Sequence, residues 1–128
     1  MKTLGIDVGK TSGWYFDGES GEMSFLTLEK YYQDIMHLVD LYKPEMVVSA
    51  RPTRMYNVIV FQTKLLAIIE LICEKKNIKH NLRLIDSSCK KKVIGKGNAK
   101  KPEIMEWAGV GSEHEADAKM FVEYIKKP

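Results

Sequence analysis

Short apolar runs separated by turn residues occupy the first part of the chain. The runs cover residues 3–8, 13–16 and 22–26, and the segments between them contain glycine, aspartate and serine. Apolar runs of this length, bounded by such residues, are typical of β-strands. The pattern therefore predicts a meander of three antiparallel strands.

The apolar residues then change to helical spacing. Thr27 is a suitable N-cap residue, and Pro44 ends the pattern. The positions that recur at helical spacing between them are Tyr31, Ile35, Leu38, Val39 and Tyr42. The all-apolar run at residues 46–48 follows and predicts a central strand that is buried on both faces.

The next segment, residues 54–77, has more apolar positions than one helix face can hold. An ordinary surface helix needs an apolar stripe of roughly 100°, and here the apolar residues occupy more than one stripe. The excess indicates a helix that is covered on two sides. The second side is covered either by the rest of the domain or by a second subunit.

The remainder of the chain predicts one short strand followed by three helices. Residues 81–85 predict a fifth strand, and residues 86–88 form an N-cap cluster before a basic helix at 89–94. A glycine-containing break separates this helix from another at 101–108, and Ser112 is the expected N-cap of a last helix. This order predicts an α/β fold with a mixed five-stranded sheet, three antiparallel strands and then parallel strands, flanked by helices.

Length and composition fit one globular domain that spans residues 1–128. The chain is 45% hydrophobic and 29% charged, which is enough apolar material to bury a core. Its two cysteines, Cys73 and Cys89, are too few and too far apart to predict a disulfide framework or a CxxC site. We find no signal peptide and no run of about 18 apolar residues, so we expect a cytoplasmic protein without a membrane span.

Basic residues are concentrated in one segment, although the net charge is only +3. Between residues 83 and 101 a single acid, Asp86, accompanies the basic residues Arg83, Lys90, Lys91, Lys92, Lys96, Lys100 and Lys101. Such a stretch is typical of a surface that binds a phosphate backbone. The alternative is an ordinary solvated face.

Acidic clusters near both ends contain candidate metal ligands. Asp7 ends the first predicted strand, and Asp117 lies in the first turns of the last predicted helix. His114 and Asp117 are three residues apart and share a helix face, whereas Glu113 and Asp117 offer a second pairing and Glu115 points elsewhere. Carboxylates brought together by a fold usually hold a divalent cation, which suggests a metal-dependent enzyme. In the alternative interpretation, His114 only caps the helix and Asp117 pairs with a lysine.

Hydrolysis of a phosphodiester would give these ligands a specific task. One metal ion makes hydroxide, and a second, about 3.5–4 Å away, stabilises the leaving oxygen. A carboxylate that bridges both ions must lie at the centre of the site. Asp7, on a predicted central strand, suits this position.

Four segments of the chain form a recognisable set. They are residues 4–13, LGIDVGKTSG; 43–50, KPEMVVSA; 93–101, VIGKGNAKK; and 114–118, HEADA. In this order they resemble the RuvC family of Holliday junction resolvases, particularly the shorter forms of bacteriophages and poxviruses. The resemblance covers nearly the whole chain and implies a ribonuclease H-like fold and cleavage of four-way DNA junctions. An IDxG motif alone is weak, because sugar kinases and actin-like ATPases share it.

The resemblance also implies roles for individual residues. Asp7, His114 and Asp117 would hold two Mg²⁺ or Mn²⁺ ions, and Lys90 and Lys101 would lie close to the scissile phosphate. The residues expected to contact DNA elsewhere are Arg51, Arg54, Lys91, Lys92, Lys96 and Lys100. A four-way junction has approximate two-fold symmetry and is cut on two opposing strands, so we expect a homodimer. The corresponding locations are a bacterial cell, a phage-infected host or a viral replication site.

One position departs from the family. Where the family has a glutamate at the end of the fourth strand, this chain has Ala50, whose methyl group cannot coordinate a cation. Ser49 is expected on the opposite face of the sheet, and Glu45 lies roughly 16 Å upstream along a strand. We therefore expect weak metal binding and slow or absent cleavage. The alanine is either a deliberate inactivating substitution, which the retained ligands Asp7, His114 and Asp117 favour, or a natural loss of activity.

Other functions fit parts of the same pattern. A different ribonuclease H-like nuclease, acting on RNA–DNA hybrids or flaps, could use the same ligands. A non-catalytic protein could bind branched DNA through the lysines alone. An actin-like ATPase is disfavoured, because the chain is too short for two lobes and has no second glycine-rich phosphate motif.

Overall fold

A computed structural model of the protein describes residues 1–50, 56–83 and 87–126, and for residues 50, 56, 57, 83 and 87–90 it describes the backbone alone. Within these ranges the chain forms one five-stranded sheet with helices on both faces. The strands are β1 (Thr3–Asp7), β2 (Thr11–Phe16), β3 (Glu19–Ser24), β4 (Met46–Ala50) and β5 (Lys79–Arg83). Their spatial order is β3-β2-β1-β4-β5, with β1 central.

The sheet is mixed, as the sequence predicted. β1, β2 and β3 pair antiparallel, whereas β4 runs parallel to both β1 and β5. Parallel neighbours need a helical crossover between them, and the helices after β3 and β4 supply it. The carboxyl ends of β1 and β4 therefore meet at one edge of the sheet, next to each other.

The helices are α1 (Leu28–Tyr42), α2 (Tyr56–Lys76), α3 (Ser87–Ile94), α4 (Lys101–Ala108) and α5 (Glu113–Lys126). Leu4, Ile6 and Val47 face α1 and α2 in the main core. The opposite sheet face, which includes Val48, packs against Ala118, Phe121 and Val122 of α5. Alternate residues of a strand face opposite sides, so Asp7 and Gly5 share the α5 side.

Helix boundaries follow the sequence prediction closely. The Thr27 hydroxyl accepts a hydrogen bond from the Lys30 backbone N–H and caps α1. The helix ends at Tyr42, and its C-cap Lys43, in the left-handed conformation, comes just before Pro44. The bounds of α4 coincide with the predicted 101–108. In contrast, α3 begins at Ser87 rather than at the predicted residue 89, so Ser87 and Ser88 belong to the helix and not to a cap before it. The third predicted cap residue, Asp86, lies outside the described residues.

Three strands begin earlier than predicted. β2 starts at Thr11 rather than at residue 13. The turn between β2 and β3 consists of Asp17 and Gly18 alone, both with positive φ (46° and 90°), so β3 starts at Glu19 rather than at residue 22. Two consecutive positive φ values give the tight hairpin that matches strand twist. Asn77, with φ 56°, likewise ends α2 abruptly and lets β5 begin at Lys79 rather than at residue 81.

The apolar surface of α2 divides into two parts. Leu65, Ile69 and Ile72 are fully buried in the main core. Val60 and Leu71, in contrast, are 41% and 46% exposed. The chain itself therefore covers one side of the helix and leaves apolar side chains on another. Among the described helices, none combines the length and the apolar character that a membrane crossing requires.

Candidate active site

The two ends of the chain meet at the carboxyl edge of the sheet. Asp7 is the last residue of β1, and His114 lies in the first turn of α5. His114 Nδ1 and Asp7 Oδ2 are 3.0 Å apart, although the residues are 107 positions apart in sequence. The Asp7 side chain is 17% exposed and that of His114 is 45% exposed, so Asp7 is largely buried and His114 lies at the surface.

Glycines in the central strands allow α5 to lie directly on the sheet. A Cβ on Gly13, which pairs with Asp7 in the sheet, would come within 2.1 Å of the His114 carbonyl carbon. A Cβ on Gly5 would lie 2.3 Å from the Ala118 carbonyl oxygen. Side chains at these positions would push the helix outward and separate His114 from Asp7. This role was not predicted from the sequence, although glycine inside a strand is a signal for close backbone approach.

The first turn of α5 is held by its own contacts. The Ser112 hydroxyl accepts a hydrogen bond from the Glu115 backbone N–H, so Ser112 is the cap that the sequence predicted. Glu115 points away from Asp7, also as expected, and its carboxylate accepts a hydrogen bond from the Ser20 hydroxyl of β3 at 2.5 Å. With the cap supplied by Ser112, the His114 imidazole is directed to Asp7 instead.

Burial raises the pKa of Asp7 above its usual range. A carboxylate that loses water is disfavoured in its charged form. The hydrogen bond and the charge of His114 act in the opposite direction, but burial is the larger influence. A carboxyl group with a raised pKa is a common feature of functional sites.

Asp117 lies one turn further along α5, beside Lys101. These two residues and Glu113 line a cavity of about 20 Å³ between α4 and α5. Lys101 Nζ lies 3.1 Å from Glu113 Oε2, and both side chains are well exposed. The structure thus places the predicted catalytic lysine and both candidate acids of the helix together at the start of α4 and α5.

The described residues do not by themselves fit a metal ion. Asp7 and His114 provide two donors, but no group of three or more histidine, cysteine, aspartate or glutamate residues in the described part of the chain is arranged to hold one. The β1–β4 register pairs Ile6 with Ser49, so Asp7 and residue 50 occupy the next positions. The position where the resemblance leads us to expect a glutamate therefore lies beside Asp7 in register, and this chain has alanine there.

Two polar residues of the described part of the chain, Glu45 and Ser49, lie near position 50 in sequence but do not take its place. Glu45 is at the opposite end of β4, where its Oε1 accepts a hydrogen bond from the Lys2 backbone N–H at 3.1 Å. Ser49 is fully buried and contacts His80 of β5, on the sheet face away from α5. Both findings agree with the expectation that these residues cannot replace a glutamate.

The basic segment surrounds the start of α4. Lys91 and Lys100 are exposed. Lys96 Nζ lies 2.9 Å from Glu103 Oε2, and Lys92 Nζ lies 4.9 Å from the ring centroid of Tyr124. The structure therefore gives internal partners to part of this set. The side chains of the other expected DNA contacts, Arg51, Arg54 and Lys90, lie outside the described part of the chain.

Comparison with known proteins supports the fold. The sequence matches no family model and no curated protein. The structure is similar to Thermus thermophilus RuvC, with a TM-score of 0.81 and 14% identity over 97% of this chain and 92% of that one. The structure of the same enzyme in complex with a Holliday junction substrate has a TM-score of 0.80 and 14% identity, and the match covers 97% of this chain and 92% of that one. The yeast mitochondrial Holliday junction resolvase Ydc2 has a TM-score of 0.50 and 13% identity, and the match covers 95% of this chain and 76% of that one. The predicted mixed α/β fold of ribonuclease H type is thus confirmed.

Proposed function

We propose that this chain is a nuclease-fold protein of the Holliday junction resolvase kind, of the short phage or poxvirus type, that binds branched DNA. The observation that carries the proposal is the contact between Asp7 and His114 at the carboxyl end of the central strand, with residue 50 next in register to Asp7. The fold shared with two resolvases supports it.

The proposed cofactor is Mg²⁺ or Mn²⁺, and the site for it is incomplete. Asp7, His114 and Asp117 are the proposed ligands, and a carboxylate at position 50 would complete the set. When bound, two such ions would supply an activated water and stabilise the leaving oxygen. Because Ala50 has no donor atom, we expect weak metal binding and little or no cleavage.

The lysines have a separate task that does not depend on the metal. Lys101 lies beside Asp117, so a phosphate at the site would be within reach of its ammonium group. Lys91, Lys92, Lys96 and Lys100 would contact the backbone on either side, because phosphate contacts position a protein on DNA without reading sequence. We propose that Arg51, Arg54 and Lys90 extend this surface.

A homodimer is the proposed assembly, acting in the cytoplasm of a bacterial or infected host cell or at a viral replication site. Two opposing cuts in a nearly symmetric junction require two sites, which a two-fold dimer provides. The exposed apolar residues Val60 and Leu71 of α2 supply a surface for it.

The decisive experiment compares binding with cleavage. Fluorescence anisotropy would measure the affinity of the unaltered chain for a four-way junction, a linear duplex and an RNA–DNA hybrid. Ala50→Glu would then be incubated with the junction and Mg²⁺ or Mn²⁺, with Ala50→Gln as the control that has similar size but no charge. We expect tighter binding to the junction, no cutting by the unaltered chain, and paired nicks only with the glutamate variant.

Other outcomes favour the alternatives. If Ala50→Glu cuts the hybrid or a flap rather than the junction, the protein is a different ribonuclease H-like nuclease. Junction binding without cleavage by Ala50→Glu would favour a non-catalytic branched-DNA-binding protein. That result would also contradict the interpretation of Ala50 as an inactivating substitution.

A further inference from the structure

Three polar side chains form a hydrogen-bonded network on the sheet face opposite Asp7. Ser49 Oγ lies 2.7 Å from His80 Nε2, and His80 Nδ1 lies 2.9 Å from Glu70 Oε2. Ser49 is fully buried, the His80 side chain is 4% exposed, and Glu70 is 60% exposed. This Ser49 network thus runs from the interior at the end of β4, through β5, to the surface of α2.

The residue types resemble those of a serine hydrolase triad, but burial excludes that chemistry. A nucleophilic serine must reach the atom it attacks, whereas Ser49 has no exposed surface. The network therefore acts on the protein itself.

Stability alone does not require this network. Replacing both partners of a buried hydrogen bond by apolar groups of similar shape can be nearly neutral. The surrounding face of the sheet is apolar, with Val47 and Ile6 as neighbours of Ser49. Stability is thus not the sole role that this polar network can have.

The network is attached to β4 one residue before position 50. Ser49 pairs with Ile6 of β1 and with Leu82 of β5, and the next positions are those of Asp7 and residue 50. Consecutive residues of a strand face opposite sides. A restraint on the Ser49 side chain therefore adds to the pairings with β1 and β5 in holding the backbone at position 50, whose side chain faces the Asp7 side. The other end of the restraint is anchored in α2 by Glu70.

We propose that the Ser49 network positions the end of β4, so that the residue at position 50 is held in register with Asp7. This inference rests on the proposed nuclease function. It makes Ser49, His80 and Glu70 positioning residues, which act through residue 50 rather than on DNA. The network is intact in this chain, although the carboxylate that it would position is absent.

The test uses the full chain with Ala50→Glu, in which position 50 has a carboxylate. Ser49→Ala in this background removes the hydroxyl, His80→Leu removes the ring nitrogens, and His80→Gln restores an amide that can still form a hydrogen bond. Thr3→Val is the matched control, because Thr3 is a buried hydroxyl residue at the far end of β1. Calorimetry would measure the Mn²⁺ affinity, and melting curves would measure the stability. Junction cleavage assays would give kcat and KM.

Ser49→Ala and His80→Leu should weaken Mn²⁺ binding and lower kcat by roughly 10- to 100-fold, the typical effect of removing a group that orients a metal ligand. KM should change little, since the DNA contacts remain. His80→Gln should recover part of the loss, and Thr3→Val should leave Mn²⁺ affinity and kcat near those of Ala50→Glu even if it melts earlier.

Equal effects of Ser49→Ala and Thr3→Val on Mn²⁺ affinity and kcat would overturn the inference, because the network would then be only structural. A failure of Ala50→Glu itself to bind Mn²⁺ and to cleave would be a failure of the proposed function, and the positioning inference would fall with it. The behaviour of Ala50→Glu alone thus distinguishes a failure of the proposed function from a failure of the positioning inference.

Discussion

Gly13 lies so close under His114 that the helix rests on the strand backbone, and a Cβ at Gly13 would be only 2.1 Å from the His114 carbonyl carbon. Gly13→Ala should therefore displace the start of α5 and destabilise the protein by about 1–3 kcal/mol, the usual cost of overpacking. Thermal or urea unfolding would measure the change. Gly9→Ala is the control, because its Cβ would meet the nearest atom at 3.5 Å. Equal stability of the two variants would contradict the close approach.

Asp7 should reduce stability at neutral pH. Burial raises its pKa, so the folded chain binds the proton more tightly than the unfolded chain. Stability therefore falls as the pH rises from the ordinary carboxyl pKa through the raised value of Asp7. Asp7→Asn should raise the melting temperature by a few degrees at pH 7, and this advantage should disappear below about pH 4, where both states are protonated.

Asp34→Asn is the control for this pH experiment. Asp34 forms a surface pair with Lys30 at 2.6 Å, and such pairs contribute only about 0–1 kcal/mol. Its loss should leave the melting temperature at pH 7 unchanged or slightly lower. Two outcomes would argue against burial of Asp7 as the cause of the higher melting temperature. One is a higher melting temperature for Asp34→Asn at pH 7, and the other is an Asp7→Asn melting temperature that stays higher below pH 4.

Tyr31 should contribute to the loss of stability in alkaline solution. Burial raises its pKa to about 12, with the hydrogen bond to Ser12 opposing the effect. Between about pH 10, the ordinary tyrosine value, and pH 12, the unfolded chain loses this proton and the folded chain keeps it, so stability falls as the pH rises. Tyr31→Phe should cost about 1 kcal/mol at neutral pH for the lost hydrogen bond, yet show a shallower alkaline decline. Parallel declines would contradict the prediction.

Lys101 should contribute to DNA binding but little to stability. Its exposed pair with Glu113 should be worth at most about 1 kcal/mol. If Lys101 contacts a phosphate, Lys101→Ala should weaken junction binding and lower the slope of log K against log salt by about one. Lys30→Ala, which breaks the pair with Asp34 on α1, is the matched control and should leave the slope unchanged. Identical slopes for both variants would exclude Lys101 from the interface.

The exposed apolar residues of α2 should form the subunit contact. Val60→Lys should convert a dimer to a monomer at micromolar concentration, because burying an unpaired charge at an interface is unfavourable. Sedimentation velocity would measure this. Leu41→Lys is the control, since Leu41 is 59% exposed on α1. If the unaltered chain is a monomer, the proposed interface does not exist. If the dimer survives Val60→Lys but dissociates with Leu41→Lys, the interface lies on α1 rather than on α2.

The local pattern of the sequence was sufficient for most elements, and it identified the candidate residues whose chemistry stays a prediction. Helix spacing, the caps Thr27 and Ser112, and the run at residues 46–48 all correspond to observed elements. These signals depend on neighbours within a turn of helix or a few residues of strand. The starts of β2, β3 and β5 were predicted two or three residues late. Before β3 and β5 the chain reverses within two residues through Asp17 and Asn77, which both have positive φ.

Tertiary structure alone decided which of these residues meet. Asp7 and His114 lie at opposite ends of the chain, and their contact depends on the β1–β2 pairing and on the glycines that let α5 approach. The Ser49 network likewise joins β4, β5 and α2 through a register that no local period encodes. The sequence by itself thus determined the kinds of group available and the absence of a donor atom at Ala50. Their distances follow from long-range packing, because strand register and helix approach depend on residues far apart in the chain.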